Sequence, residues 1–144
     1  MDITTINQVE ERLREREAHL RAVIETIPDL VWLKDPDGLY LACNPKFERF
    51  FGATEAEIVG KTDHDFLDKE LADFFRKNDL AAIAAGESRA NEEEVVYADD
   101  GHKELIETVK TPMYDSEGKL VGVLGVARDV TPEAYWSLGK REQA

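Results

Sequence analysis

The residues of this chain that could carry acid–base chemistry are its closely spaced carboxylates. Asp63 and Asp65 stand two residues apart, and Glu92, Glu93 and Glu94 form a run. A catalytic carboxylate pair needs a nucleophile or a metal ion beside it. The sequence around Asp63 and Asp65 supplies neither a nucleophile nor metal-ligand spacing, and the Glu run has the composition of a solvated strand start. We therefore predict that these 144 residues contain no catalytic site.

Metal and thiol chemistry are also poorly supported. The histidines at 19, 64 and 102 are widely scattered, so we predict no metal site. The single cysteine, Cys43, can form neither an internal disulfide nor a cysteine metal cluster. The formal net charge of −13 argues against a nucleic-acid partner, because phosphate contacts need clustered Lys and Arg.

The chain shows no feature that indicates membrane insertion. No apolar run approaches the ~18 residues that mark a membrane-spanning helix, and the polar N-terminus lacks the core of a signal peptide. We expect a cytoplasmic location without direct membrane contact, and an upstream membrane anchor in a longer parent stays open.

The elements that must position these residues begin with a hairpin. Residues 35–38 read Asp-Pro-Asp-Gly, which suits a tight turn between strands 30–34 and 39–43. Asn44 and Pro45 then form a helix start. Three aromatic residues follow on one helical face, and Gly52 ends the helix: Phe47, Phe50 and Phe51.

A helical block and three strands complete the domain. Thr54 and Glu57 form a capping box, and Asp68 is the expected N-cap of a helix over residues 69–85. The predicted apolar face of that helix is Leu71, Phe74, Phe75, Asn78, Ala82 and Ala85. Strands over 93–97, 102–113 and 120–128 follow, joined by hairpin turns. This order predicts an α+β fold with an antiparallel sheet and helices on one face.

The N-terminal segment, residues 5–27, has the pattern of an amphipathic helix. Its apolar residues recur at heptad positions: Ile6, Val9, Leu13, Leu20, Val23 and Ile27. This pattern predicts a parallel homodimer through the helix, and a single helix lying on its own domain is the alternative. Because strand 30–33 does not alternate, Val31 and Leu33 are expected to meet this helix or a second subunit.

Ordered motifs from about residue 25 to residue 131 resemble a PAS domain. They are the first hairpin, Asn44-Pro45-x-Phe47 with Gly52, residues 60–62 (Gly-Lys-Thr), the Thr-Pro-Met ending of the long strand, and Asp129-Val130-Thr131. The amino-acid sequence of these motifs most resembles that of PAS modules of bacterial diguanylate cyclases and sensor histidine kinases. The resemblance implies the PAS fold, a five-stranded antiparallel sheet with helices over one face and a small cavity between them.

The resemblance also divides the chain and assigns its ends. Residues 1–27 would be a signalling and dimerisation helix, residues 28–131 the PAS domain, and residues 132–144 the start of a C-terminal linker helix. Asp129 and Thr131 are similar to the Asp-x-Thr signature at which PAS domains pass their signal onward.

By the same analogy, a set of side chains should line the cavity: Trp32, Lys34, Tyr40, Phe47, Phe51, Phe66, Phe74, Asn78, Thr108, Lys110 and Gly125. Such a lining suits a small anionic or polar ligand. In the alternative, Asp63, Asp65 or Glu107 pairs with the lysines, and aromatic rings fill the space. A buried unpaired lysine costs several kcal/mol, so we expect pairing in either case.

Cofactors are not expected. Residues 60–66 lack the reactive cysteine of flavin-binding relatives, and residues 69–85 lack the axial histidine of haem-binding relatives. The resemblance therefore indicates a sensory or regulatory module that passes a conformational change to an output domain, a diguanylate cyclase or a histidine kinase. A ligand-free, constitutive dimerisation module is the alternative.

Overall fold

A computed structural model describes residues 3–132. The predicted linker helix falls almost wholly beyond these residues. The described elements, in chain order, are α1 (Ile3–Thr26), β1 (Leu30–Lys34), β2 (Tyr40–Cys43), α2 (Pro45–Phe51), α3 (Glu55–Ile58), a 3-10 turn (Asp63–Asp65), α4 (Lys69–Ala85), β3 (Arg89–Val96), β4 (Lys103–Tyr114) and β5 (Leu120–Asp129).

The strands form one antiparallel sheet in the order β2-β1-β5-β4-β3. The last strand, β5, lies at the centre between β1 and β4. Gly125 of β5 therefore stands opposite Trp32 on one side and Lys110 on the other. This register brings residues that are far apart in sequence onto one face, and it confirms the predicted five-stranded architecture.

Short-range chemistry builds the first hairpin and α2 as predicted. The Asp35 carboxylate accepts hydrogen bonds from the Asp37 and Leu39 amides at 2.9 Å. Asn44 caps α2 by accepting from the Phe47 amide at 3.1 Å, and its Nδ2 donates to the Asp29 carbonyl at 2.7 Å. These bonds satisfy the backbone groups that a turn and a helix start leave open.

Helix α4 has the predicted bounds, with Asp68 as N-cap and Gly86 in the left-handed conformation after its end. Its predicted buried face is only partly correct, because it includes Ala82 and the half-buried Phe75 but neither Ala72 nor Asp79. The fully buried residues are Ala72, Asp79 and Ala82, whereas Phe74 is 40% exposed. The reason is electrostatic, because Asp79 turns inward toward two buried lysine side chains.

An aromatic core lies between the helices and the inner face of the sheet. Trp32 and Phe47 have ring centroids 5.2 Å apart, and Phe51 stacks on Phe66 at 4.7 Å. Phe47, Phe50 and Phe51 of α2 are all buried, as their spacing predicted. The core thus rests on α2, which the first hairpin places directly over β1.

Helix α1 does not lie along its own domain. None of its residues is buried, and Leu13 and Leu20 are 59% and 61% exposed. A helix packed lengthwise on a sheet would bury one stripe of side chains, so α1 is not the expected cover of β1 within one chain. Val31 is buried all the same, and Leu33 is half-buried. Arg21 instead forms a bidentate ion pair with Glu55 of α3, at 2.8 and 3.0 Å.

None of the helices within residues 3–132 combines the length and the apolar composition that crossing a bilayer requires.

Candidate ligand-binding site

Two buried lysines stand at the centre of the inner sheet face. Lys34 ends β1 with 1% of its surface exposed, and Lys110 of β4 is 3% exposed. Lys34 Nζ lies 2.5 Å from Asp63 Oδ2 and 2.8 Å from Asp79 Oδ2. The hydroxyl of Tyr40 donates to the other oxygen of Asp63. The 3-10 turn, β1, β2 and α4 thus meet at one ammonium group.

Asp79 joins the two lysines. Lys110 Nζ lies 2.8 Å from Asp79 Oδ1 and donates to the Phe75 carbonyl, also at 2.8 Å. Burial alone would raise the pKa of Asp79, but the charges of Lys34 and Lys110 outweigh burial, so its pKa is lowered. Burial lowers the pKa of Lys110, and the charge of Asp79 opposes that shift. Burial, then the charge of Asp63, raises the pKa of Tyr40.

These five residues form what we call the charge network: Lys34, Tyr40, Asp63, Asp79 and Lys110. Its two ammonium groups equal its two carboxylates in number, and the partly exposed guanidinium of Arg76 lies outside it, 3.9 Å from Asp79 Oδ2. The predicted pairing through Asp63 is therefore present in the structure, but Asp65 and Glu107 take no part. The Asp65 carboxylate accepts from the Thr62 amide, and Glu107 pairs with Arg128 at 3.2 Å.

Asp79 is the site residue that the sequence did not reveal. It lies four residues after Phe75 and three before Ala82, so it shares a helical face with these two apolar residues. A single carboxylate on an otherwise apolar face was the sequence signal that could have indicated Asp79. A carboxylate at such a position is unusual unless it is paired. The partners come from β1 and β4, which only the sheet brings together.

The interior cavity between sheet and helices is small, about 10 Å³. That volume holds about one water molecule. Of the predicted lining, six residues surround it: Trp32, Tyr40, Phe47, Asn78, Thr108 and Lys110. The others lie elsewhere, with Phe51 and Phe66 in the aromatic core and Phe74 on the surface.

Gly125 explains why the cavity is nearly closed. A Cβ at this position would lie 2.1 Å from Cε2 of Trp32. A glycine at this position of β5 leaves room for another group to approach the sheet. The group that approaches is the indole ring of Trp32, so the space is filled from within the chain.

A larger opening adjoins this cavity, and we call it the α4–β3 groove. Its volume is about 260 Å³, and its lining is Asn78, Ala81, Arg89, Ala90, Asn91 and Lys110. Three of these residues, Asn78, Asn91 and Lys110, also line the interior cavity. The Nδ2 atom of Asn78 is buried and has no hydrogen-bond partner among the described residues. Strand β3 begins at Arg89 rather than at the predicted residue 93, so sequence reasoning missed Arg89 and Asn91.

Glu93 follows Asn91 on the same face of β3. Burial raises the pKa of its carboxyl to about 7, although the charge of Lys110 opposes the shift. No hydrogen bond or ion pair joins Glu93 to another residue in the range 3–132. Its carboxyl therefore changes charge near neutral pH, beside the α4–β3 groove.

The histidines at 64 and 102 lie near the surface. His64 Nε2 is 2.7 Å from Asp73, and His102 Nε2 is 2.8 Å from Glu104. The structure also brings the side chains of Asp99 and Asp100 close to His102, a grouping that the spacing of the histidines alone did not indicate. His102 already bonds Asp100 and Glu104, so these groups satisfy one another.

Asp129 and Thr131 secure the chain where it leaves the sheet. The Thr131 hydroxyl accepts from the Leu105 amide at 2.7 Å and bonds Asp129 at 2.5 Å. The Val130 amide donates to the Leu105 carbonyl at 2.8 Å. We call this arrangement the exit clamp, because it fixes the end of β5 to the start of β4.

Comparison with known proteins agrees with this architecture. The family model described as the PAS fold matches residues 24–134. This chain belongs to the PAS family. Its PAS domain is homologous to domains of sensor kinases and of a diguanylate cyclase.

Two relatives illustrate the setting of such domains. The PAS chain is 31% identical over 135 residues to the methanogenesis regulatory histidine kinase FilI of Methanothrix harundinacea, covering 92% of this chain and 15% of the kinase. It is 29% identical over 129 residues to a diguanylate cyclase of Vibrio cholerae, covering 88% of this chain and 40% of the cyclase. The chain thus spans less than half the length of either relative.

Among solved structures, the PAS domain of BvgS from Bordetella pertussis is similar in fold. The TM-score is 0.58 at 24% identity, and the match covers 90% of this chain and 99% of that chain.

Proposed function

We propose that this PAS domain is a sensory module that binds a small ligand and passes a conformational change to a C-terminal output domain. A diguanylate cyclase is the first candidate for that output, and a histidine kinase is the second. The charge network carries the proposal, because its ion pairs and the Tyr40 hydrogen bond connect β1, β2, α4 and β4. A ligand that competes for one residue of the network would alter contacts of the strands on either side of the central strand β5.

The exit clamp supports the output side of the proposal. Leu105 belongs to β4, the strand that also carries Lys110. A shift of β4 relative to β5 would change the hydrogen bonds that Thr131 and Val130 make to Leu105. The direction of the chain beyond residue 131 would then report the state of the inner sheet face.

The exposed stripe of α1 supports a homodimer. Its apolar residues at heptad positions are solvent-exposed in one chain: Ile6, Val9, Leu13, Leu20 and Val23. A second α1 packed in parallel would bury this stripe. Two signalling modules would then face one another with both exit clamps at the same end.

One observation favours the second candidate, a constitutive dimerisation module without a ligand. The interior cavity is about 10 Å³, and both lysines already have carboxylate partners. A filled and charge-balanced core needs no ligand to be stable. In that case only the oligomeric state would matter for the output.

Ligand screening with two readouts separates the candidates. The chain would be purified natively, examined by mass spectrometry for a retained compound, and screened against small metabolites by thermal shift. For a sensor, a binding compound raises the melting temperature and also changes hydrogen exchange at Leu105. A domain that responds to no compound in either readout would be the constitutive module.

A further inference from the structure

We propose that the α4–β3 groove is a binding site for a small carboxylate. The inference rests on the proposed sensory function and specifies both the place and the ligand class. The groove of about 260 Å³ is far larger than the closed interior cavity, and it is bounded by α4 on one side and the start of β3 on the other.

The polar lining of the groove consists of hydrogen-bond donors and amides. Its polar residues are Lys110, Arg89, Asn78 and Asn91, whose side chains carry an ammonium group, a guanidinium and two amides. No carboxylate of the described residues lines it. A cationic, donor-rich wall favours an anion, and the planar fork of a guanidinium matches the two oxygens of a carboxylate.

Two of these donors are available in the unliganded chain. The Nδ2 group of Asn78 is buried without a partner among residues 3–132, an arrangement that costs free energy until something accepts its hydrogen bond. Lys110 has three donor hydrogens. Its ammonium contacts Asp79 and the Phe75 carbonyl, which leaves one hydrogen for a ligand.

The charges favour a single anionic group. Within the charge network two lysines are matched by two aspartates, and Arg89 lies outside that balance at the exposed edge of β3. A monoanionic group in the groove would pair with Arg89 and share Lys110 with Asp79. The groove would then hold one carboxylate against two cations, one buried and one exposed, next to the carboxyl of Glu93, which the charge of Lys110 also reaches.

Occupation of the groove would reach the charge network directly. A carboxylate that draws Lys110 toward the groove weakens its contact with Asp79. Asp79 would then bind Lys34 more closely, and Lys34 holds Asp63 and, through it, Tyr40. A ligand between α4 and β3 would in this way alter contacts at β1 and β2, toward the opposite edge of the sheet.

Isothermal titration with straight-chain carboxylates from acetate to glutarate tests the site. Succinamide is the neutral control for succinate, because it has the same carbon chain without the charge. At least one acid should bind, and the amide should bind at least ~10-fold more weakly, since it cannot accept the charge-assisted hydrogen bonds that a carboxylate accepts. Backbone amide NMR should place the bound acid at α4 and β3, with shifts extending to Tyr40.

Two variants locate the binding site within the fold. Arg89→Glu changes an exposed residue, so folding should survive, and Asn78→Asp places a carboxylate where the unpartnered amide stands. Each should weaken binding of the acid by at least ~10-fold through like-charge repulsion. Lys119→Glu in the exposed turn before β5 makes the same kind of charge change as a matched control and should leave binding within ~2-fold.

Three results would overturn the inference. They are equal binding of succinate and succinamide, unchanged binding in both groove variants, and failure of every acid to bind. If no acid binds but a neutral metabolite raises the melting temperature in the screen, the sensory function is supported and the proposal of a carboxylate ligand is contradicted. If neither the acids nor the other metabolites bind, both the carboxylate site and the sensory function are contradicted.

Discussion

At the level of single residues, the decisive feature is a balanced set of buried charges. Lys34 and Lys110 point from the sheet into the core, and Asp79 lies between them with 0% of its surface exposed. Each charge is tolerated because its partner is also buried. The aromatic groups add a further contribution, since Lys34 Nζ lies 5.1 Å from the centroid of the Tyr40 ring.

Removing the Asp79 charge should destabilise the domain severely. Asp79→Asn keeps the shape of the side chain but leaves Lys110 without its carboxylate partner. We expect a loss of about 3–5 kcal/mol in the free energy of unfolding, measured by urea denaturation, as for other broken buried pairs. Asp73→Asn on the exposed face of α4 is the matched control, for which we expect a change below about 1 kcal/mol. Similar losses in both variants would show that the network is not a major source of stability.

The raised pKa of Glu93 predicts a pH-dependent stability. A carboxyl whose folded pKa of about 7 lies above its unfolded value binds its proton more tightly in the folded state. Its contribution is therefore present below the unfolded pKa and is lost as pH rises through about 7. Glu93→Gln should raise the melting temperature at about pH 8 and change it little at about pH 5.

Glu92→Gln provides the comparison for this measurement, because Glu92 is exposed on the opposite face of β3. Its effect on the melting temperature gives the change expected from removing an exposed charge on β3. A Glu93 variant that behaves like the Glu92 variant would contradict the proposed burial of the Glu93 carboxyl.

Among the secondary-structure elements, α4 and β4 are the two that the site depends on. Helix α4 supplies Asp79 and Asn78, and β4 supplies Lys110 and Thr108 to the opposite wall. Arg76 also fixes α4 to the first turn by donating to the Pro36 carbonyl at 2.8 Å. A displacement of α4 would therefore act on the first hairpin, the charge network and the groove together.

The exit clamp should hold β4 and β5 together at their ends. Thr131→Val is nearly isosteric but removes the acceptor of the Leu105 amide. We expect a loss of about 1 kcal/mol in stability, with faster hydrogen exchange at Leu105 measured by mass spectrometry or NMR. Ser116→Ala in an exposed turn should change neither quantity. Unchanged exchange at Leu105 in the Thr131 variant would show that the clamp is dispensable.

For the molecule as a whole, α1 offers the surface for the proposed dimer. It extends over Ile3–Thr26 with no buried residue, and its apolar stripe has no cover within one chain. Exposed apolar surface of this extent commonly marks an interaction site. The heptad spacing gives the proposed partner a specific form, a second α1 in parallel.

Charges in the heptad stripe should disrupt the proposed dimer. Leu13→Asp combined with Leu20→Asp should give a monomer by light scattering, because a dimer would bury four carboxylates in its seam. Gln8→Asp with Ala18→Asp introduces the same charges away from the stripe and should leave the mass of the dimer unchanged. A dimer that survives the Leu13 and Leu20 substitutions would use another surface.

The local elements and the family could be predicted from the order of residues alone. Turn residues, caps and periodicity depend on near neighbours, so Asp35, Asn44 and Asp68 could be assigned to their roles before the structure was known. The site depended on the tertiary structure. Asp79 is buried because β1 and β4 flank β5 and aim two lysines at one point of α4. Whether small residues leave a cavity also depends on what faces them, and at Gly125 that is Trp32.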